Sequence, residues 1–227
     1  MQPVQTSPGR RGFLKAGAAF AAGITGIGFL PSAAFSSPLP PLPLAGDNDM
    51  NIIGPKEGYS PQIGTLVSMM NWMRIVMLSA VKGMSREELD FLIDDKANTI
   101  GAMLYHLAAT DTFYHLHTFQ GVKWGAWDDS YKKKWDVAME LGEPARKSIK
   151  GNDLSFYTGL LQESREKTLA EFKKRDDKWL LTVDKDWPWG PTNNYCKWFH
   201  VCEHESNHNG QMKFLKSRLP GAKAGKE

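Results

Sequence analysis

Four long stretches of the chain carry apolar residues at steps of three and four positions, which is the period of an α-helix. These stretches run from about 61 to 81, 98 to 119, 153 to 178 and 192 to 219, and a less regular helical piece covers about 130 to 141. Patterns that alternate apolar and polar residues, as strands require, are scarce. We therefore predict an all-α fold, an antiparallel four-helix bundle.

The N-terminus resembles a twin-arginine export signal. Arg10 and Arg11 precede an apolar stretch of about 15 residues, and the small residues Ser32-Ala33-Ala34 follow it. A membrane span needs about 20 apolar residues, so this stretch is short for one. We expect cleavage near position 34 and export by the twin-arginine machinery to a periplasmic or other extracytoplasmic space, without lasting membrane association. An uncleaved membrane anchor is the alternative.

Composition divides the chain into four segments. Residues 1–34 form the signal, 35–58 a linker rich in Pro and Gly, 59–220 the bundle, and 221–227 a flexible basic tail. The chain has 28 basic and 25 acidic residues, and three of the basic residues lie in the signal. The mature chain is therefore electrically balanced and has no basic cluster interleaved with aromatic residues, so we expect no nucleic-acid partner.

Three of the six histidines, His200, His204 and His208, lie four positions apart in the last helical stretch. Residues four apart share one helix face, and here that face also carries apolar residues, so these histidines point into the bundle. Buried imidazoles need polar partners, and a metal ion would supply them. A metal site is favoured by this spacing, and hydrogen-bonded structural histidines remain the alternative.

A third metal ligand is expected from another helix, because three ligands in one straight row cannot easily surround a tetrahedral ion. The candidates are His106, His115 and His117 in the second helical stretch. The rings of His106 and His115 point in opposite directions, and His117 lies about 16 Å further along the helix than His106. Because His106 lies within the apolar part of its helix, we predict it as the third ligand.

The same run contains His204-Glu205-Ser206-Asn207-His208, the H-E-x-x-H pattern of zinc proteases, in which the glutamate is the general base. That class needs a further ligand downstream. The extended pattern would place Gly and His at 211 and 214, where this chain has Gln and Phe, and the only later acid is at 227. A metalloprotease is therefore a remote alternative.

Two motifs resemble those of the DinB/YfiT-like metal-binding family, close to its DUF664 branch. One is Ile100–Asp111, which contains His106, and the other is the run from His200 to Gln211, of the form H-x-x-x-H-E-x-x-H-x-G-Q. The resemblance covers about residues 60 to 219. It implies a four-helix bundle that binds one divalent metal ion through His106, His204 and His208, with His200 as a neighbour. Asn207 and Asn209 depart from the family, which often has His and Arg there.

Two kinds of function are consistent with these residues. The first is an exported metal-binding protein without catalysis. The second is a metal-dependent enzyme with a small-molecule substrate, either a hydrolase or, as the resemblance implies, a thiol transferase. Zinc is the first choice of metal, with nickel and iron as alternatives. Asp111 and Glu205 would orient ligands, move protons or form ordinary salt bridges. A homodimer is compatible with this sequence.

Overall fold

The computed structural model describes residues 50–223. The predicted export signal, most of the linker and the end of the basic tail lie outside the described residues. Within them the helices are α1 Pro61–Val81, α2 Arg86–Leu89, α3 Ile100–Gln120, α4 Asp129–Glu140, α5 Gly142–Ser148, α6 Leu154–Phe172, α7 Asp177–Leu180 and α8 Asn194–Lys216. Two short strands, β1 Val183–Asp184 and β2 Thr192–Asn193, pair antiparallel.

The long helices α1, α3, α6 and α8 form the bundle, and the predicted all-α class is confirmed. Helix α3 packs against α6 and α8, α1 packs against α8, and α4 covers α3. Two buried apolar clusters fill the interior. One is centred on α3 and α4, and the other combines aliphatic residues of α1 with aromatic residues of α3, α6 and α8.

Helix α1 is long and apolar enough to cross a membrane by length and composition, and half of its apolar window is buried inside the fold. Its buried residues explain that composition, because Ile63, Leu66, Met70 and Met77 are fully enclosed in the core. Arg74 is buried in the same helix, between Met70 and Met77. The apolar character of α1 is therefore that of a core helix of the bundle.

The predicted helix from 153 to 178 is too long, because α6 ends at Phe172 and a separate short helix, α7, follows. The Asp176 carboxylate caps α7 by accepting from the Trp179 amide, and the Asp177 carboxylate accepts from the Gln62 amide at the start of α1. An N-cap residue has a non-helical backbone conformation, and Asp176 has this role for α7, so one helix cannot continue from α6 through position 176.

The helical piece predicted at about 130 to 141 corresponds to α4, whereas α5 was not predicted. Helix α4 stops at Glu140, the chain turns at Leu141 with a φ of 58°, and α5 follows. Pro144 falls in the first turn of α5, where its missing amide hydrogen does no harm. The β1–β2 pair was not predicted, because strands of two residues carry no readable alternation.

Candidate metal centre

Three histidine side chains meet between α3 and α8. His106 comes from α3, and His204 and His208 lie one turn apart on α8. The Nε2 atom of His204 lies 3.2 Å from that of His106 and 3.0 Å from that of His208. The candidate ligand atoms of the three residues all lie within 4.8 Å of one another. The structure therefore brings together the three residues that the sequence analysis selected.

The spacing of these nitrogens fits a metal ion better than it fits hydrogen bonds. The Nδ1–H of His106 donates to the carbonyl oxygen of Ala138, at 3.0 Å, so its Nε2 presents a lone pair. His204 Nε2 faces two other Nε2 atoms and has at most one hydrogen to share. Two nitrogens bound at about 2.05 Å to a tetrahedral ion lie about 3.3 Å apart, close to the observed distances.

The protonation state also suits a metal. Burial, and after it repulsion among the neighbouring imidazoles, lowers the pKa of His204 to about 3 and that of His208 to about 4. Burial also lowers the pKa of His106. All three rings are therefore neutral at neutral pH, and a neutral imidazole is the form that binds metal ions.

The three rings are held in different ways. His106 has the backbone partner described above, an arrangement typical of metal-binding histidines. The Nδ1 atoms of His204 and His208 are buried and have no hydrogen-bond partner in the part of the chain that the structure describes. The packing of α8 therefore orients these two rings, and a hydrogen bond from the end of α4 orients the first.

Glu205 does not face the site as a protease base would. Its side chain is buried, and its Oε1 atom accepts hydrogen bonds from both Arg74 and Arg165. A carboxylate held between two guanidinium groups serves as an ion-pair partner. The structure therefore gives Glu205 an ion-pairing role in place of the general-base role of an H-E-x-x-H site.

Glu205 belongs to a buried ion cluster to which each bundle helix contributes one residue: Arg74 of α1, Asp111 of α3, Arg165 of α6 and Glu205 of α8. Asp111 Oδ2 lies 3.0 Å from Arg74 Nη2 and 3.3 Å from Arg165 Nε. Each arginine also donates to a backbone carbonyl, Arg74 to that of Leu161 and Arg165 to that of Met70. The four charges compensate one another and tie together the helices that carry the histidines.

The electrostatics of Asp111 follow from this cluster. Burial alone would raise its pKa, but the charges of Arg165 and Arg74 outweigh burial and hold the pKa below its usual range. The carboxylate is therefore ionised at neutral pH. Asp111 and Glu205 were identified as candidates from the sequence, but their arginine partners were not. The signal was present, because Arg74 stands inside an otherwise apolar stripe.

The other histidines lie outside the three-histidine cluster. His117 Nδ1–H donates to the carbonyl oxygen of Val122, and His117 Nε2 lies 2.9 Å from the ammonium of Lys197, which also contacts Asp184. These contacts attach the β1 strand to α3 and α8. His115 packs against Phe119 on α3. Of the three candidates on the second helix, His106 is the one that lies beside His204 and His208.

His200 is a neighbour of the cluster, as the family resemblance implies. Its ring is stacked on that of His204, with centroids 5.4 Å apart and planes 13° apart. Its Nδ1 atom lies 2.8 Å from the hydroxyl of Tyr114 on α3. Trp189, in the loop between β1 and β2, places its ring edge-on to that of His200 at 4.8 Å.

The two asparagines that depart from the family pattern flank His208. Asn207 is exposed, accepts a hydrogen bond from Gln211 at 2.8 Å and lines a cleft of about 700 Å³ beside α8. Asn209 is buried, and its Oδ1 atom has no partner among the described residues. No cationic side chain stands at either position, so neither contributes a positive charge beside the cluster.

The comparisons with known proteins give one family. A search of the curated proteins finds no match. The sequence model of the family described as mycothiol-S-transferase matches residues 65–221, which is more than half of the chain and includes all three clustered histidines. The chain therefore belongs to the mycothiol-S-transferase family, a DinB/YfiT-like family.

Proposed function

We propose that this protein binds one divalent metal ion through His106, His204 and His208 and transfers a small thiol to an electrophilic small molecule. The observation that carries the proposal is the convergence of three neutral Nε2 atoms at separations of 3.0 and 3.2 Å. The family description supports thiol transfer over hydrolysis. Zinc is the first choice, and nickel and iron are the alternatives, because imidazole suits each of them.

His106, His204 and His208 would hold a divalent ion, which would supply an open coordination position where a thiol has a lowered pKa. The protein residues prepare this position. The carbonyl oxygen of Ala138 fixes the ring of His106, and the ion cluster fixes α8 relative to the other helices. In the overall reaction the thiol loses a proton, its sulfur bonds to the electrophilic carbon, and the leaving group departs with the bonding electron pair.

Metal analysis tests the site. We expect about one metal ion per chain in protein purified without chelators and without a nickel column. His106→Ala and His208→Ala should each lose most of it, because two imidazoles are too few for tight binding. His115→Ala is the matched control on the same helix and should keep the metal. Near-stoichiometric metal in both ligand variants, or a folded wild-type protein that never takes up metal, would refute the site.

An activity measurement tests the reaction. The metal-loaded protein is mixed with mycothiol and an alkylating electrophile, and the disappearance of free thiol is followed over time. We expect the rate to exceed that of the chelated protein and of His204→Ala. Cysteine in place of mycothiol shows whether the protein distinguishes between thiols. Equal rates in loaded protein, chelated protein and buffer would show that thiol transfer is not its activity.

Export is a separate proposal that rests on Arg10, Arg11 and the apolar stretch behind them. It needs its own test because oxidising compartments favour disulfides over free thiols. We expect exported protein to begin near Phe35, as shown by N-terminal sequencing, and the double change Arg10→Lys, Arg11→Lys to leave the protein in the cytoplasm. Exported material that still begins at Met1 would contradict cleavage.

A further inference from the structure

His200 lies beside the proposed metal centre and has no part in it as a ligand. It stands one helical turn before His204 on α8, with the two rings stacked at 5.4 Å. It is half-buried, between the phenol of Tyr114 on one side and the indole of Trp189 on another. A histidine in this position offers a polar ring nitrogen next to a ligand ring.

The hydrogen bond from Tyr114 decides which ring nitrogen carries the hydrogen. Tyr114 is buried, and burial raises the pKa of its phenol, which therefore keeps its hydrogen at neutral pH. His200 Nδ1, at 2.8 Å, is the hydrogen-bond partner that this buried hydroxyl has among the described residues, and a buried hydroxyl hydrogen needs an acceptor, so Nδ1 accepts it. A neutral imidazole that accepts at Nδ1 carries its own hydrogen at Nε2.

The Nε2 atom of His200 is available to a ligand. It has no hydrogen-bond partner in the part of the chain that the structure describes, and it is not among the buried polar atoms that lack one. The residue is half-buried, so part of its side chain is accessible to solvent. His204 and His208 differ from His200 in this respect. Each of them turns its Nε2 atom toward a neighbouring imidazole and has its Nδ1 atom buried.

We propose that His200 donates an Nε2–H hydrogen bond to the thiolate sulfur that binds beside His204, and that Tyr114 is the positioning residue that fixes this tautomer. Because this role rests on the proposed function, its test must separate the two. A hydrogen bond to a thiolate stabilises the bound anion, and its loss weakens binding about tenfold. A ligand without a free lone pair gains nothing from it.

The tautomer can be measured in the metal-free protein. Nitrogen-15 NMR of the imidazole side chains distinguishes a ring nitrogen that carries hydrogen from one that does not. We expect His200 in the wild-type protein to carry hydrogen at Nε2, and the Tyr114→Phe variant to show a mixture of both tautomers. A wild-type His200 with hydrogen at Nδ1 would overturn the proposal, whatever the metal content.

Binding is measured on cobalt(II)-loaded protein by its visible spectrum, with 2-mercaptoethanol and imidazole as probes. A metal-bound thiolate accepts a hydrogen bond, whereas a metal-bound imidazole has no lone pair left to accept one. We expect His200→Phe, which keeps an aromatic ring against His204, to bind 2-mercaptoethanol about tenfold more weakly and imidazole as before. His200→Gln, which restores a donor, should recover part of the thiol affinity.

The outcomes separate the two proposals. Unchanged 2-mercaptoethanol affinity in cobalt-loaded His200→Phe overturns the role of His200 and leaves the metal site standing. Equal weakening of both probes also overturns it, because a disturbed ligand ring would weaken any ligand. A wild-type protein that takes up no cobalt refutes the proposed function itself, and the role of His200 fails with it.

Discussion

Single residues in the buried ion cluster contribute more to the free energy of unfolding than residues of ion pairs at the surface. Arg165 contacts two carboxylates, Asp111 and Glu205, and all three side chains are almost completely buried. Arg165→Met leaves both carboxylates to Arg74 alone, so a buried negative charge remains uncompensated. We expect the free energy of unfolding to fall by about 3 kcal/mol or more, measured by urea denaturation.

Lys167 offers the matched control on the same helix. It pairs with Glu163 at 2.7 Å, and both side chains are largely exposed to solvent. Lys167→Met should change the free energy of unfolding by less than about 0.5 kcal/mol, because exposed ion pairs contribute little. Equal losses in the two variants would show that burial of the cluster does not matter to stability.

The clustered histidines make the metal-free protein sensitive to acid. The folded-state pKa values of His204 and His208 are about 3 and 4, below the value of about 6.5 for an unfolded histidine. The unfolded chain therefore binds more protons in this range. The stability contribution is fully present above about pH 6.5 and is lost as the pH falls toward the folded-state values.

We expect the unfolding free energy of chelated wild-type protein to decrease between pH 6.5 and 5. In the His204→Gln, His208→Gln double variant the unfolding free energy should fall less steeply with decreasing pH. The slope should be smaller by up to about 1.4 kcal/mol per pH unit for each histidine that no longer takes up a proton on unfolding. Urea titrations at several pH values supply the measurement. Identical slopes in the two proteins would mean that these rings titrate normally in the folded state.

The candidate metal ligands were predictable from the sequence where they recur at the helix period along one helix. The spacing of His204 and His208 places both on one helix face, and His106 was predicted as the third ligand because it lies within the apolar part of its helix. The pairing of Arg74 and Arg165 with carboxylates on other helices depends on how four helices pack, and no spacing along the chain encodes that. The tautomer of His200 depends in the same way on Tyr114, 86 positions away.

At the scale of helices, α3 and α6 are in close contact at Gly101. A Cβ atom added there would lie 2.8 Å from the hydroxyl oxygen of Tyr157 and 2.9 Å from its ring carbon. Tyr157 is fully buried and cannot move aside easily. We expect Gly101→Ala to lower the unfolding free energy by about 1–3 kcal/mol, as overpacking does, in a thermal or urea melt.

Gly159 on α6 is the control for this change. A Cβ atom there meets no atom within 4 Å, and the residue is exposed in the helix interior. Gly159→Ala should stabilise the protein by about 0.5–1 kcal/mol, because alanine has the higher helix propensity. Opposite signs for the two substitutions are the expected result, and destabilisation by both would contradict the close-approach explanation.

Helix existence was predictable from sequence, and helix ends were predictable only where a local signal marks them. Pro61 marks the start of α1, and that helix was predicted with the bounds Pro61–Val81 that the structure has. After α6 ends at Phe172, Asp176 caps α7, and the Asp177 carboxylate of α7 accepts from the amide of Gln62, 115 positions away in the sequence. A contact of that range leaves no pattern in the sequence around α6.

At the scale of the whole molecule, folding and metal binding should be coupled. His106 and His204 are 98 positions apart, so the unfolded chain does not hold them together. A ligand that binds only the folded state stabilises it by about 2.7 kcal/mol at a free concentration of 100 times its dissociation constant. We expect added zinc to raise the melting temperature of the chelated, dialysed protein, with the rise increasing with zinc concentration.

The variant His106→Ala should lose most of this rise in melting temperature. The two remaining ligands lie one turn apart on α8, so they can bind zinc wherever that segment is helical, and their binding does not favour the folded bundle. The His115→Ala control should retain the rise, since that ring packs on Phe119 away from the cluster. Differential scanning calorimetry gives both melting temperatures. An equal rise in the two variants would mean that zinc stabilises the folded protein at another place than the three-histidine cluster.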